Sequence, residues 1–334
     1  MAAHPALTLR WQINEYRPSR QRKTIYQFME SSQTEAPTEY SVATIGFFDG
    51  VHRGHRFLIN QVKALAKQQG MASAIVTFAQ HPRQVLASDY QPQMLTTVEE
   101  KARLLKETGV DRCHILDFNA ETAALSARDF MKDVLRDKLC VRHLVIGYDN
   151  RFGHNRAEGF DDYVRYGAEL GINVVQAKAF LLNGVNISSS VVRSFLSDGQ
   201  VEMAAMCLGY RYSIVGTVVD GVKKGREIGF PTANIKPETV HKMLPANGVY
   251  AVEARLDNGT LLPAMLNIGH RPTFGGHATT IEVNILNYSG DLYGRQLGVT
   301  FFKRLRGEQR FSSERALMEQ LEKDRRDVEE LFKK

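Results

Sequence analysis

The hydrophobic pattern of this chain changes period once, and that change constrains the fold more than any other feature. From Val42 to about Gln176, short apolar runs take turns with stretches of helical spacing. Beyond about residue 205, apolar and polar residues alternate by two. Two textures in 334 residues imply two domains, because single cores rarely grow past ~250–300 residues. The boundary falls between about 187 and 208, giving a first domain over residues 1–195 and a second over 205–334.

In the first domain, Val42 to Ile45 reads as a buried strand. Residues 55 to 69 set Leu58, Ile59, Val62, Leu65 and Ala66 on one helical stripe, which Gly70 stops. Ala74 to Phe78 is the next strand. Thr97 with Glu100 makes a capping box for a helix ending near Gly109, and Ser126 with Asp129 opens another. His143 to Gly147 and Ile172 to Val175 are further strands. Strand and helix in turn imply an α/β, Rossmann-like domain with a parallel sheet, whose ligands bind beyond the carboxyl ends of the strands. In the second domain, Tyr212 to Val219, Val249 to Leu256, Leu262 to Ile268, Thr279 to Leu286 and Val299 to Lys303 read as strands. Asp257-Asn258-Gly259 is a hairpin signal. Strands this closely spaced predict a small antiparallel β-barrel, followed from Ser312 by a charged helix with Leu317, Leu321, Val328 and Leu331 as its apolar positions.

The charge balance narrows the partners. Lys+Arg 43 against Asp+Glu 37 leaves +6, which suits an anionic small molecule and is too little to demand nucleic acid. Basic residues are not interleaved with aromatics, which argues against an RNA-binding regulator. Cys113, Cys140 and Cys207 form no CxxC pair, so a reducing compartment is expected. No run approaches the ~18 apolar residues of a membrane span, and no secretory signal opens the chain. Residues 1–40 carry Glu15, Glu30 and Glu35 among their arginines, unlike a transit peptide. The cytoplasm is the expected location. The sequence assigns residues 1–40 no role and gives no oligomeric state.

Two segments look built for phosphates, and neither is a Walker A loop. The first runs Gly46-Phe47-Phe48-Asp49-Gly50-Val51-His52-Arg53-Gly54-His55, between a strand and a helix. Small residues there let backbone amides approach phosphate oxygens at a helix N-terminus. His52 and His55, three apart, can donate to a triphosphate and stabilise charge as the α-phosphorus is attacked. A Gly-rich turn with no ligand is the competing reading; zinc would need a further Cys or His at ligand spacing, and none is there. The second segment runs Gly225-Arg226-Glu227-Ile228-Gly229-Phe230-Pro231-Thr232-Ala233-Asn234. Thr232 and Asn234 offer oxygens suited to Mg²⁺ bound with phosphates; the alternative is a rigid barrel turn. Glu282 shares a strand face with Thr280 and Asn284, opposite Ile281, Val283 and Ile285. On that pattern alone it is a solvated surface residue or a base.

Further segments in order decide between these readings. Thr77-Phe78-Ala79-Gln80-His81-Pro82 ends the second strand, Gly147-Tyr148-Asp149-Asn150-Arg151-Phe152-Gly153 follows a later one, and Ile187-Ser188-Ser189-Ser190-Val191-Val192-Arg193 opens a helix. With the His-x-Gly-His loop they resemble the nucleotidyltransferase half of the bacterial bifunctional riboflavin kinase/FMN adenylyltransferase (FAD synthetase) family. Asn247-Gly248-Val249-Tyr250, Asn267-Ile268-Gly269, Arg271-Pro272-Thr273-Phe274 and Ile281-Glu282 resemble its riboflavin kinase half. The resemblance implies that Gly46, Phe48, Asp49, Gly50, His52, Gly54 and His55 hold ATP phosphates, with Ser188, Ser189, Ser190 and Arg193 closing over them. By the same match His52, His55 and Arg193 are catalytic, and His81, Pro82, Asp149, Arg151 and Phe152 lie on the flavin side. In the kinase half it implies that Gly225, Arg226, Gly229, Pro231, Thr232 and Asn234 bind ATP, that Thr232 and Asn234 hold Mg²⁺, and that Glu282 is the base. Asn247, Gly248, Tyr250 and Arg306 then fall on riboflavin.

The implied reactions are riboflavin plus ATP giving FMN and ADP, then FMN plus ATP giving FAD and pyrophosphate. Small molecules, not nucleic acid or membrane, are the implied partners. The chain departs from the family at Phe47 for Asn, Ala79-Gln80 for Asp-Pro, Ser190 for Thr, Asn284 for His and Asn287 for Asp. The first two motivate an alternative: a riboflavin kinase whose first domain binds nucleotide without catalysis.

Overall fold

A computed structural model describes residues 39–81, 93–148, 150–182, 184–221, 224–273 and 276–333. Pro82, Asp149 and Phe274 lie outside the described residues, as do residues 1–38.

The first domain is a five-stranded sheet of β1 (Ser41–Ile45), β2 (Ala72–Phe78), β3 (Arg112–Leu116), β4 (Val141–Ile146) and β5 (Asn173–Gln176). The order is β3-β2-β1-β4-β5 and every pairing is parallel. All five residues of β1 are buried, as a central strand covered on both faces requires. Helix α1 (Arg53–Gln69) buries Ile59, Val62 and Ala66 and stops at Gly70, whose φ of 64° gives the left-handed cap. Helix α2 (Val98–Lys106) carries the expected capping box, with both Thr97 and Glu100 bonds formed. Ser126 caps α3 (Ala127–Asp129), which continues as a π-helix over Phe130–Arg136. That π-turn was not foreseen. Nor were β3 and α4 (Phe160–Leu170).

The second domain is a closed barrel of β8 (Ser213–Val219), β9 (Ala233–Pro237), β10 (Gly248–Arg255), β11 (Leu261–Thr273), β12 (Gly276–Ile285) and β13 (Gln296–Arg306), with β6 (Leu181–Leu182) and β7 (Val185–Asn186) forming a small hairpin before it. Its order is β10-β11-β12-β9-β8-β13, antiparallel throughout. Closure removes the exposed sheet edge. The hairpin at Asp257-Asn258-Gly259 joins β10 to β11, with Gly259 at φ 88°. Strand β9 was not read from the sequence.

Between the domains lie α5 (Ser189–Ser197) and α6 (Val201–Leu208). Val192, Leu196, Val201, Ala204 and Leu208 pack into the same core as barrel residues Tyr212, Tyr250 and Phe301. Leu95 of the first domain joins them. The helix that opens with Ser188-Ser189-Ser190 is therefore seated on the barrel. Helix α7 (Glu314–Phe332) closes the chain, burying Val328 against Ala251 and Met265.

Candidate active sites

Strand order reverses between β1 and β4, and the loops after these two strands meet there. Open parallel sheets bind ligands at such a switch point. The loop after β1 is sharply bent: Phe48, Gly50 and Val51 all have positive φ, at 56°, 77° and 38°. For the two non-glycine residues this costs on the order of 1 kcal/mol each or more. Asp49, 2% exposed, secures the bend. Its carboxylate accepts from the Leu95 and Thr96 amides at 3.0 and 3.1 Å, from the Thr96 hydroxyl, and from the Arg193 guanidinium. The Gly50 amide donates to Thr96 Oγ1 and the Tyr210 hydroxyl to the Gly50 carbonyl. A Cβ on Gly50 would come within 2.8 Å of Leu95 Cδ1. Ser189 Oγ donates to the Asp49 carbonyl at 2.9 Å, bringing α5 onto the loop.

His52 caps α1: its Nδ1 accepts from the His55 amide at 3.3 Å. That bond leaves Nε2 to carry the ring proton as a donor. The two imidazoles stack with centroids 3.6 Å apart. Burial, then Arg193, pushes the His52 pKa down to about 4. Burial, then His52 and Lys101, puts His55 well below the usual range. At neutral pH both rings are uncharged. A Cβ on Gly54 would approach His52 Nδ1 and the Ile187 carbonyl to 3.1 Å, so glycine lets the pair stand this close. His55 Nδ1 is enclosed and has no hydrogen-bond partner.

One residue escaped the sequence reading. Lys101, 2% exposed, donates to the carbonyls of Phe47 (3.2 Å) and Phe78 (2.6 Å), at the ends of β1 and β2. Its ammonium lies 3.9 Å from the centre of the Phe47 ring. Burial pushes its pKa down to about 8, against the pull of Asp49 and Cys113. The available signal was spacing: Thr97, Lys101 and Leu105 fall on one helical stripe. His81 also meets Phe47 edge-on, with centroids 4.7 Å apart. Arg193 also donates to the Gln93 carbonyl at 2.8 Å, and Asn150 Nδ2 to the Ile45 carbonyl at 2.5 Å. Ser188 caps α5 and Ser190 is exposed. Arg151 is exposed, while half-buried Phe152 stacks on Tyr163 at 4.3 Å, against the edge of the core.

In the barrel, strand register assembles the site. Glu282 of β12 pairs with Asn234 of β9 on one side and Asn267 of β11 on the other. Directly opposed residues share a face with Cβ atoms ~4.5–5.5 Å apart. Thr232 precedes Asn234 by two, in the turn just ahead of β9. The preceding loop is tight: Phe230 donates to the Gly225 carbonyl at 2.7 Å, and a Cβ on Gly225 would collide with the Phe230 carbonyl. Gly229 adopts φ 80°. Asn284 Nδ2 donates to the Pro231 carbonyl at 2.7 Å, which fixes the loop to β12. A cavity of 80 Å³ lies beside the loop on the other face of these strands, lined by Pro231, Thr232, Ala233, Val283 and Tyr288 among others, and Glu282 and Asn234 are not in its lining. Asn247 donates to Glu308 at 3.0 Å, and Gly248 has φ 149°. Tyr250 lies in the barrel core with its hydroxyl on the Ala246 carbonyl. Arg306 is committed to Asp324 of α7, two nitrogens reaching the buried carboxylate at 2.8 and 2.9 Å.

A histidine loop at a parallel-sheet switch point, joined to a barrel with a glutamate beside a Pro-Thr-Ala-Asn turn, defines a two-site transferase. Residues 34–191 match the FAD synthetase family model and residues 208–332 the riboflavin kinase model. The chain is 39% identical over 299 residues to the bifunctional riboflavin kinase/FMN adenylyltransferase of Escherichia coli K12, covering 90% of this chain and 95% of that protein. It is 34% identical to the Bacillus subtilis protein of the same description, covering 87% and 92%. A Streptococcus pneumoniae structure described as a macrolide-efflux protein superposes with a TM-score of 0.80 at 29% identity, covering 89% of this chain and 97% of that one. The chain belongs to the bifunctional riboflavin kinase/FMN adenylyltransferase family. No helix among the described residues is long and apolar enough to cross a membrane.

Proposed function

We propose that residues 205–334 phosphorylate riboflavin to FMN and that residues 1–195 adenylylate FMN to FAD, in the cytoplasm and on small-molecule substrates alone. The observation that carries this reading is the placement of Glu282 directly opposite Asn234. An alcohol is a poor nucleophile until a positioned carboxylate accepts its proton. Glu282 takes the proton of the riboflavin 5′-hydroxyl as its oxygen attacks the γ-phosphorus of ATP, and ADP leaves. Thr232 and Asn234 supply neutral oxygens two residues apart, which fit Mg²⁺ shared with phosphates. Thr232 and Asn234 would hold the ion together with the ATP phosphates. The bound ion would neutralise charge on the transferring group. Gly225, Gly229 and Pro231 shape the loop over the phosphates, Asn247 and Gly248 border riboflavin, and Arg306 holds α7 in place beside it.

The adenylylation step needs no base, because the attacking FMN phosphate is already anionic. It attacks the α-phosphorus of ATP and pyrophosphate leaves. His52 donates from Nε2 and His55 beside it offers a second neutral ring. Positive charge comes from Arg193 and Lys101, and backbone from Gly46 to Gly50 approaches the phosphates. Asp49 shapes that loop through its side chain. His81 and Phe47 border the flavin. The test is incubation of the purified chain with riboflavin and Mg·ATP, with flavins separated by chromatography. FAD is expected. FMN without FAD would overturn the second step, and unchanged riboflavin would overturn both.

A further inference from the structure

One charged side chain of the barrel domain is buried where that domain meets the first, between Tyr212 of the barrel and Leu95 and Glu100 of the first domain. Lys242 lies between β9 and β10 and is 7% exposed. Its backbone is zipped to the segment ahead of α2: Met94 donates to the His241 carbonyl, and Met243 donates to the Met94 carbonyl at 2.8 Å. Its ammonium donates to the Leu95 carbonyl at 2.9 Å and pairs with the Glu100 carboxylate. The peptide unit joining Leu95 to Thr96 therefore faces opposite charges at its two ends. Its carbonyl meets Lys242, and its N–H meets Asp49 at 3.1 Å. Asp49 is the residue that secures the left-handed loop beneath the imidazole pair and also holds Arg193. Hydrogen bonds in such a chain polarise one another in a low-dielectric interior.

We propose that Lys242 is a positioning residue for adenylyl transfer: the kinase barrel reaches across to set the phosphate loop of the other site. This rests on the assignment of adenylyl transfer to the first domain. The neighbours of Lys242 extend the same contact. Glu238, Thr239 and His241 face Phe47 and His81 across a cavity of 380 Å³, so the barrel also walls the space beside the loop. The second reaction thus depends on the barrel being docked, and the first does not depend on the sheet domain in the same way.

Lys242→Met keeps the length of the side chain and removes its charge. In the full-length protein it is expected to lower kcat for FMN adenylylation about tenfold or more, with riboflavin phosphorylation within twofold of the parent. Lys242→Arg should recover most of the lost rate. Glu100→Gln combined with Lys242→Met removes both partners and should fold as the parent does, yet stay slow in adenylylation because Leu95 and Asp49 still lack the cation. A purely structural Lys242 would lower both activities together, or the double variant would regain full adenylylation; either result overturns the proposal. If the parent itself makes no FAD from supplied FMN, the failure lies with the functional assignment. If the parent does so and Lys242→Met matches it, only Lys242's role is lost.

Discussion

In the barrel, the proposed catalytic groups are placed by strand register; at the sheet, they are placed by a bent loop and by residues far along the chain. Glu282, Asn234 and Asn267 line up because three regular strands pair in one phase. His52 and His55 stand where they do because Asp49 pins a left-handed turn to Leu95, Thr96 and Arg193, the last 144 residues away. A register-built site is as stable as its sheet. A loop-built site carries local strain and depends on every contact that offsets it. The chemistry follows the same division, since phosphorylating an alcohol needs a base held at one point, whereas adenylylating a phosphate needs charge and donors spread around the phosphorus.

The contrast can be broken most sharply at the barrel. Glu282→Gln should cost about 10²–10⁴ in riboflavin phosphorylation, as loss of a general base does, while FAD formation from supplied FMN persists. Parallel loss of both activities in a folded variant would mean that the sites are not separate. Next in size is His55→Ala, expected to lower FMN adenylylation by about 10²–10³, in the range for one lost transition-state donor, and to spare FMN formation.

The difference in construction predicts smaller effects on stability. Asp49→Asn removes the charge that pairs with the partly buried Arg193 and weakens the acceptor for the Leu95 and Thr96 amides, so it should destabilise the protein by about 1–3 kcal/mol, with adenylylation lost well before phosphorylation. Denaturant melts followed beside both assays check this, and an unchanged midpoint would contradict the role given to Asp49. Acid should act on the same loop. His52 has a folded pKa of about 4 against an ordinary 6.5, so the unfolded chain binds its proton more readily. Its contribution is complete above pH 6.5 and is lost as pH falls toward 4, by no more than roughly 3 kcal/mol. His55 shifts in the same direction. His52→Asn keeps a capping acceptor without a titrating ring and should flatten the fall in unfolding midpoint between those pH values; an equally steep fall in the variant would assign it elsewhere.

The sequence exposed the two textures, the sheet, the barrel, the Thr97/Glu100 capping box and the Asp257-Asn258-Gly259 hairpin, because each is a local pattern of period or turn chemistry. It named Glu282 and Asn234 without showing that they meet. Strand β9 has five residues and buries only Ile235, too little alternation to be read as a strand. Asp49 reads as a phosphate-loop residue, and its carboxylate is engaged by the Leu95, Thr96 and Arg193 contacts. No local spacing encodes partners so distant in the chain. Lys101 was missed because a lysine on a helix normally reads as solvated. Resemblance set Tyr250 and Arg306 beside riboflavin; the fold buries Tyr250 in the barrel core and pairs Arg306 with Asp324. The departures at Phe47 and Asn284 acquire physical partners, Lys101 with His81 in one case and the Pro231 carbonyl in the other.

Mixing the two defective variants tests the separation of the sites most directly. Glu282→Gln and His55→Ala, each given riboflavin and Mg·ATP alone, should accumulate no FAD. Combined in one vessel they should make FAD, because FMN released by the second variant is adenylylated by the first. If the mixture still yields no FAD while Glu282→Gln also fails on supplied FMN, the two domains do not house two separate catalytic sites.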